Sequence, residues 1–285
     1  MKLSVIMPVH AKPERLRLCL ASLRRQQERC DFETLIVADA ACPAVLAQVA
    51  EQPHARLLTT PGLGRAGARN LGASAAQGEV LLFIDDDVLV LDGFFEAHLQ
   101  AQAQRPGLVH GRIRELIALC GRGDPRLGTI GCPPILPQDL LLGRWNPQSS
   151  RLATSPLEQA AEHPRCNEWP WLASAGANLS IQREHWQRVG GFDEAYGKRW
   201  GMEDLDLGWR LWQAGVPISL EREACAYHLS HYNPTRWEEH APNLAHFQAR
   251  ANTAEALALD ALLCPTGSLA RYIERLDQIR QQAPD

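Results

Sequence analysis

Three adjacent carboxylates, Asp85, Asp86 and Asp87, close the apolar run VLLFI. Gathering them at the end of a buried strand is costly, because they repel one another and lose water. A hard divalent cation such as Mg2+ or Mn2+ supplies the missing charge, and such ions bridge carboxylates to phosphate oxygens. On an extended strand end Asp85 and Asp87 project to the same side. One can then meet the ion while the other meets a ribose hydroxyl or a metal-bound water. Most acidic triplets are solvated turns, but a solvated turn does not require a buried strand before it. A second acidic pair, Glu203-Asp204, opens the helical pattern EDLDLGWRLWQAG. The N–H groups and dipole of a helix N-terminus favour an ionised carboxylate, so the pair reads as a helix cap or as a poised base.

The elements that must position these groups follow from pattern. Leu3 to Val9 reads as a buried strand, and Pro13 suits the first position of a helix carrying Leu16, Leu20 and Leu23. Thr34 to Ala38 is a second strand ending at Asp39, and Leu57-Leu58 mark a third. Arg65 to Ala76 is helix-compatible, and Val80 to Ile84 is a fourth strand. Strands alternating with helices imply parallel βαβ units. Ligands in such sheets bind beyond the carboxyl ends of strands, where Asp39 and the aspartate triplet would converge. From Arg112 to Pro170 the chain is proline-rich and irregular, and long loops with short helices near Leu140 are expected. Trp145, Trp169 and Trp171 indicate packing there rather than disorder.

Order returns after Ser174: GANLSI reads as a strand, Gln182 to Val189 as a helix, and Glu203 to Ala214 as another. The stripe Leu205, Gly208, Trp209 and Trp212 reads as core rather than as a platform for sugar. The tail after His246 reads as two helices broken at Cys264 to Gly267. Its apolar stripe, Leu269, Tyr272, Ile273, Leu276 and Ile279, packs on the body or on a second copy, giving a homodimer through this helix. The expected division is a nucleotide-binding half over 1–110, an acceptor half of the same domain over 111–245 and a helical tail over 246–285.

A net charge of −4 provides no field for nucleic acid. No signal peptide and no apolar run of transmembrane length is seen, and eight cysteines without a CxxC pair read as reduced thiols. A cytoplasmic protein is expected, with attachment to the inner face of a membrane left open.

The order of segments resembles glycosyltransferase family 2. The resemblance rests on VIMPVH, KPERLRLCLASLRRQ, LIVAD, GRAGARNLGASAAQGEVLLFIDDD, and the block GANLSIQREHWQRVGGFDEAYGKRWGMEDLDLGWRLWQAG. It implies an α/β GT-A fold, a Rossmann-like, mostly parallel central sheet flanked by helices. The implied enzyme is an inverting transferase moving a sugar from a nucleotide diphosphate, UDP first, to a glycan, lipid, protein or small-molecule hydroxyl with Mn2+ or Mg2+. It further implies that Pro8 and Val9 line the base pocket and Asp39 accepts from the base imide. Arg65, favoured over Arg69, and Asn70 would hold the nucleotide. Asp85, together with Asp86, would serve the donor, and Asp87 would bind the metal with His228, or failing that His231. Asp204 would be the general base beside Glu203, and Gly191, Trp200 and Gly201 would shape the acceptor side. WGMED resembles a galactosyltransferase-like segment in which Met202 replaces a glycine. Ala40 and Ala11 also depart from the family pattern, which touches the base and ribose contacts. Two other functions fit a metal-carboxylate α/β protein: a sugar nucleotidyltransferase, whose glycine-rich phosphate loop PVHAKPERL lacks, and an inactive glycan- or partner-binding relative.

Overall fold

The structure, a computed structural model, describes residues 2–119, 124–231 and 233–282; Cys120 lies outside them. The strands are β1 Leu3–Val9, β2 Phe32–Asp39, β3 Ala55–Thr60, β4 Val80–Ile84, β5 Val88–Val90, β6 Leu108–Leu116, β7 Leu152–Thr154, β8 Asn178–Gln182 and β9 Ile218–His228. The helices are α1 Pro13–Gln26, α2 Pro43–Ala50, α3 Gly64–Ala75, α4 Phe94–Gln104, α5 Pro137–Leu141, α6 Pro156–Glu162, α7 Arg183–Arg188, α8 Glu203–Gln213, α9 Arg236–Ala251, α10 Ala254–Leu257 and α11 Leu269–Gln282.

One sheet runs β3-β2-β1-β4-β8-β6-β9-β5, with β7 paired to β6. The parallel pairing expected from the βαβ pattern holds through β3-β2-β1-β4. From β4 onward β8 enters antiparallel, and the β6-β9 pair is parallel again. The first half is apolar on both faces because helices cover both. Leu16, Leu20 and Leu23 of α1 pack on Val5, Met7 and Val9 from one side. Small-residue helix α3 packs Ala66 and Ala73 against Ile6 and Leu35 from the other. Gly72 allows that approach: a Cβ there would stand 2.5 Å from Ile6 Cγ2.

The irregular middle is more ordered than its composition indicates. Leu119, Cys132, Ile135 and Leu140 form a core with Leu18, Leu89 and Leu229. Trp169 and Trp171 are buried in a second core with Trp209 and Trp212 against it, so the tryptophan stripe of α8 is packing. Strand β9 extends order beyond Pro217, where the pattern ISLEREACAYH shows little alternation. A register shift between Gly111 and Ile113 interrupts its pairing with β6. The tail helix α9 begins at Arg236, earlier than expected, and keeps Pro242 inside it. All five stripe residues of α11 pack on the chain's own Trp169, Phe247 and Leu259 cluster. The stripe therefore packs on the body of the chain itself, Tyr272 and Leu276 fully buried and Leu269, Ile273 and Ile279 partly. Among the described residues no helix is long and apolar enough to cross a membrane.

Candidate functional site

Two pairings build the acid end of the site. Antiparallel β5-β9 sets Val88 opposite His228, so the imidazole falls beside Asp87. Parallel β6-β9 sets Glu115 opposite the same histidine. His228 donates from Nδ1 to Glu115 Oε2 at 2.7 Å, which turns Nε2 toward Asp87 Oδ1 at 3.4 Å. His231 Nδ1 lies 3.3 Å from Asp87 Oδ2. The two histidines weighed against each other in the sequence thus both reach the aspartate. Ligand atoms of Asp87, His228 and His231 all lie within 4.8 Å of one another.

Among the described residues, Asp87 Oδ1 and His231 Nδ1 are buried without a hydrogen-bond partner. Such atoms are costly unless something else meets them, and a carboxylate with two imidazoles is a donor set that fits a divalent metal. Glu115 is the outer carboxylate that fixes ring orientation in such sites. Burial works against charge on His228, but Asp87 and Glu115 overcome it and push its pKa up to about 10. Burial also works against the Asp87 carboxylate, and His228 with Lys12 holds it well below the usual range. Asp86, buried beside it, is pushed up to about 6. Lys12 closes the cluster, its Nζ 2.7 Å from Asp87 Oδ2 and 3.4 Å from Asp86 Oδ1.

The second acidic pair joins this cluster through Arg69. The guanidinium is buried and lies 2.8 Å from Asp85 Oδ1 and 2.8 Å from Glu203 Oε1. Glu203 is therefore a structural anchor for Arg69. Asp204 accepts from Gly176 N at 3.0 Å and from Leu205 N at 2.8 Å. Burial and the adjacent Glu203 raise it to about 6, the range suited to a base working near neutral pH. The turn before this pair is held in left-handed backbone: Gly201 at φ +91° and Met202 at +79°. For methionine that conformation costs about 1–2 kcal/mol, and the 1 % exposed side chain offsets it by packing in the second core.

Residues 4–122 match the sequence model of glycosyl transferase family 2, and residues 156–236 match that of the N-terminal domain of galactosyltransferase. Over residues 4–122 the chain carries a family 2 glycosyltransferase match. It is 28% identical to validoxylamine A glucosyltransferase of Streptomyces hygroscopicus, over 80% of this chain and 56% of the relative. It is 27% identical to the uncharacterized glycosyltransferase YfnE of Bacillus subtilis, over 81% of this chain and 65% of the relative. The chain thus spans between half and two thirds of the length of these relatives. The mannosyltransferase PcManGT from Pyrobaculum calidifontis, solved with GDP-Man and Mn2+, superposes with a TM-score of 0.63. It is 16% identical and covers 100% of this chain and 76% of its own. The GT-A fold is shared with it.

The remaining residues singled out in this glycosyltransferase domain fall in several places. Pro8 and Val9 end β1 beside Val37 and Ala38. The Asp39 carboxylate accepts from Thr60 Oγ1 at 2.6 Å, Leu63 N at 2.5 Å and Gly64 N at 2.9 Å, holding the start of α3. Arg65 makes no hydrogen bond or ion pair among the described residues, whereas Arg69, ranked below it, is the buried link between the two acidic groups. Asn70 donates to Phe192 O at 2.8 Å and Glu194 at 2.9 Å, and accepts from Phe192 N at 2.8 Å. Its amide clamps the GGFDE loop. Gly191 sits under that clamp at φ +74°, where a Cβ would stand 2.6 Å from Asn70 Oδ1. Trp200 lies under the Arg236 guanidinium, 4.6 Å from its ring centroid, and edge-on to Trp237.

Sequence reasoning misses Lys12, Glu115 and the structural part of Glu203. Lys12 is one of three lysines in the chain, and its place between a strand end and a helix is the only signal. Glu115 stands in a segment without a motif.

Proposed function

We propose that this domain transfers a sugar from a nucleoside diphosphate donor to an acceptor hydroxyl, inverting the anomeric centre, with Asp204 as general base. The observation that carries the reading is the joining of two carboxylate sites by one buried guanidinium. Asp87, with two histidines, fits a cation, and Asp204 is held near pKa 6.

Asp87, His228 and His231 would hold the ion. A carboxylate with two imidazoles suits Mn2+ better than Mg2+, which prefers oxygen ligands and retains water. Bound there, the cation offsets the negative charge that develops on the leaving diphosphate. Asp85, partly exposed and fixed by Arg69, is placed for a donor hydroxyl. Arg65, which has no ion pair among the described residues, would offer a cation at the start of α3 for the donor phosphates, and the exposed His10 borders the base end. Asp204 would take the proton from the attacking hydroxyl on the face opposite the diphosphate. Trp200 and Gly201, separated from the acidic pair only by Met202, would border the acceptor.

A panel of UDP-, GDP- and dTDP-sugars, assayed for hydrolysis with Mn2+, Mg2+ and chelator, tests the reading. Turnover of at least one donor that EDTA abolishes and Mn2+ restores is expected. Asp204→Asn should bind that donor and lose transfer, and Asp87→Ala should lose metal-dependent donor binding. Full activity in chelator removes the cation, and nucleotide binding without any turnover indicates a binding protein.

A further inference from the structure

We propose that Lys12 is an internal counter-cation, held on Asp87 until a divalent ion displaces it, and that it thereby sets how strongly the site takes up metal. The inference rests on the cation site proposed above. Lys12 Nζ contacts Asp87 Oδ2 at 2.7 Å, and the same oxygen faces His231 Nδ1 at 3.3 Å. The ammonium therefore stands on one oxygen of the carboxylate that His228 and His231 also face. Two cations sharing one buried carboxylate repel strongly, so the ion and the ammonium compete.

The geometry allows the exchange without moving the fold. Lys12 follows β1 and precedes Pro13, and its carbonyl accepts from Leu16 N at 2.9 Å as the first acceptor of α1. The backbone is fixed at both ends. The side chain is 33% exposed while Asp87 is 1% exposed, so the four-carbon stem can swing outward and the carboxylate cannot. Without metal, Lys12 shares Asp87 with the imidazoles of His228 and His231 and also pairs with Asp86. With metal and a diphosphate bound, the released ammonium has the donor's negative charge nearby. Metal and nucleotide should then bind cooperatively, and by reciprocity each strengthens the other equally.

Two measurements decide this. Mn2+ binding, read by the loss of the free-ion electron paramagnetic resonance signal, is compared in wild type and Lys12→Met with and without UDP. Lys12→Met is expected to bind Mn2+ about tenfold more tightly without UDP, and to lose most of the gain that UDP brings. Amine acetylation of the wild-type protein, followed by mass spectrometry, needs no variant. Lys12 should become more reactive when Mn2+ is added, relative to Lys2 and Lys198. Equal or weaker Mn2+ binding by Lys12→Met, or Lys12 reactivity unchanged while the wild type demonstrably holds Mn2+, overturns the role of Lys12 and leaves the cation site standing. No Mn2+ bound by either protein, with or without UDP, overturns the cation site and Lys12 together.

Discussion

Asp85 and Glu203 share one buried guanidinium: Arg69 reaches each of them at 2.8 Å, joining the end of β4 to the first turn of α8. Removing one partner of a buried ion pair leaves charge uncompensated, at a cost of about 3–5 kcal/mol. Arg69→Met is expected to lower the melting temperature by on the order of 10 °C and to abolish donor turnover. Arg69→Lys keeps one charge but cannot fork to both carboxylates. It should recover part of the stability while turnover stays at least about tenfold down. Calorimetry and a hydrolysis assay on the two variants check this, and a wild-type rate in Arg69→Lys would show that the two acids need not be held together.

With Asp204 as the proposed base, its pKa sets the acid limb of the reaction. Burial and Glu203 raise it to about 6, and a base must be ionised to accept a proton. The value of kcat/KM is therefore expected to fall about tenfold per pH unit below pH 6 and to be flat above it, until another group intervenes. The profile is measured at saturating Mn2+, and Glu203→Gln, which removes the neighbouring charge, should shift the limb to lower pH. A limb unmoved by that change would assign the titration to another residue.

Much of this site is legible in sequence where a group is costly in its local surroundings. The run VLLFI leaves no polar residue to solvate the aspartates after it, so the triplet stands out at the end of β4. Strands β1, β2 and β4 are legible because they are buried on both faces and the helices beside them carry regular stripes, whereas the half-exposed β3 shows only Leu57-Leu58. Strand β9 is not, because ISLEREACAYH is exposed at Arg222 and Glu223 and interrupted by a register shift. The partners it brings together, Glu115, Asp87 and His228, are set by pairing across the sheet, which local pattern does not encode. Arg69 illustrates the same limit from the other side. Its identity, four residues after Arg65 on the same helix, gives no hint that it alone of the two is buried between carboxylates.

His98 ties α4 to the middle of the sheet and predicts an acid transition. Its ring contacts Ser180 Oγ at 2.9 Å and Asn178 Oδ1 at 2.8 Å, and Asn178 in turn donates to Arg112 O and Ala224 O, each at 2.8 Å. Burial lowers its pKa from 6.5 to about 4. The unfolded chain therefore binds a proton below pH 6.5 that the folded chain refuses. Stability from this group is present above pH 6.5 and is lost as pH falls toward 4, by about 3 kcal/mol in total. Urea unfolding between pH 7 and 4.5 should show that slope in wild type and a shallower one in His98→Gln. Parallel slopes for the two proteins would assign the acid sensitivity elsewhere, with buried His110 and His240 as the next groups to vary.

The tail is predicted to be part of the folded body rather than a separable segment. Leu276 and Tyr272 are fully buried, and Tyr272 meets Trp169 edge to face at 5.3 Å. Leu276→Ala removes packed methyl groups and should cost about 2–4 kcal/mol. Around this seam Arg280 pairs with Glu168 and Glu255, each at 2.5 Å, but it is 38% exposed. Exposed ion pairs contribute little, so Arg280→Ala should cost less than about 1 kcal/mol. Truncation before Leu269 uncovers the Trp169 cluster and is expected to yield aggregating protein. A truncated chain that stays monomeric with an unchanged melting temperature would show that the α11 contact contributes little, and would make the tail an independent appendage.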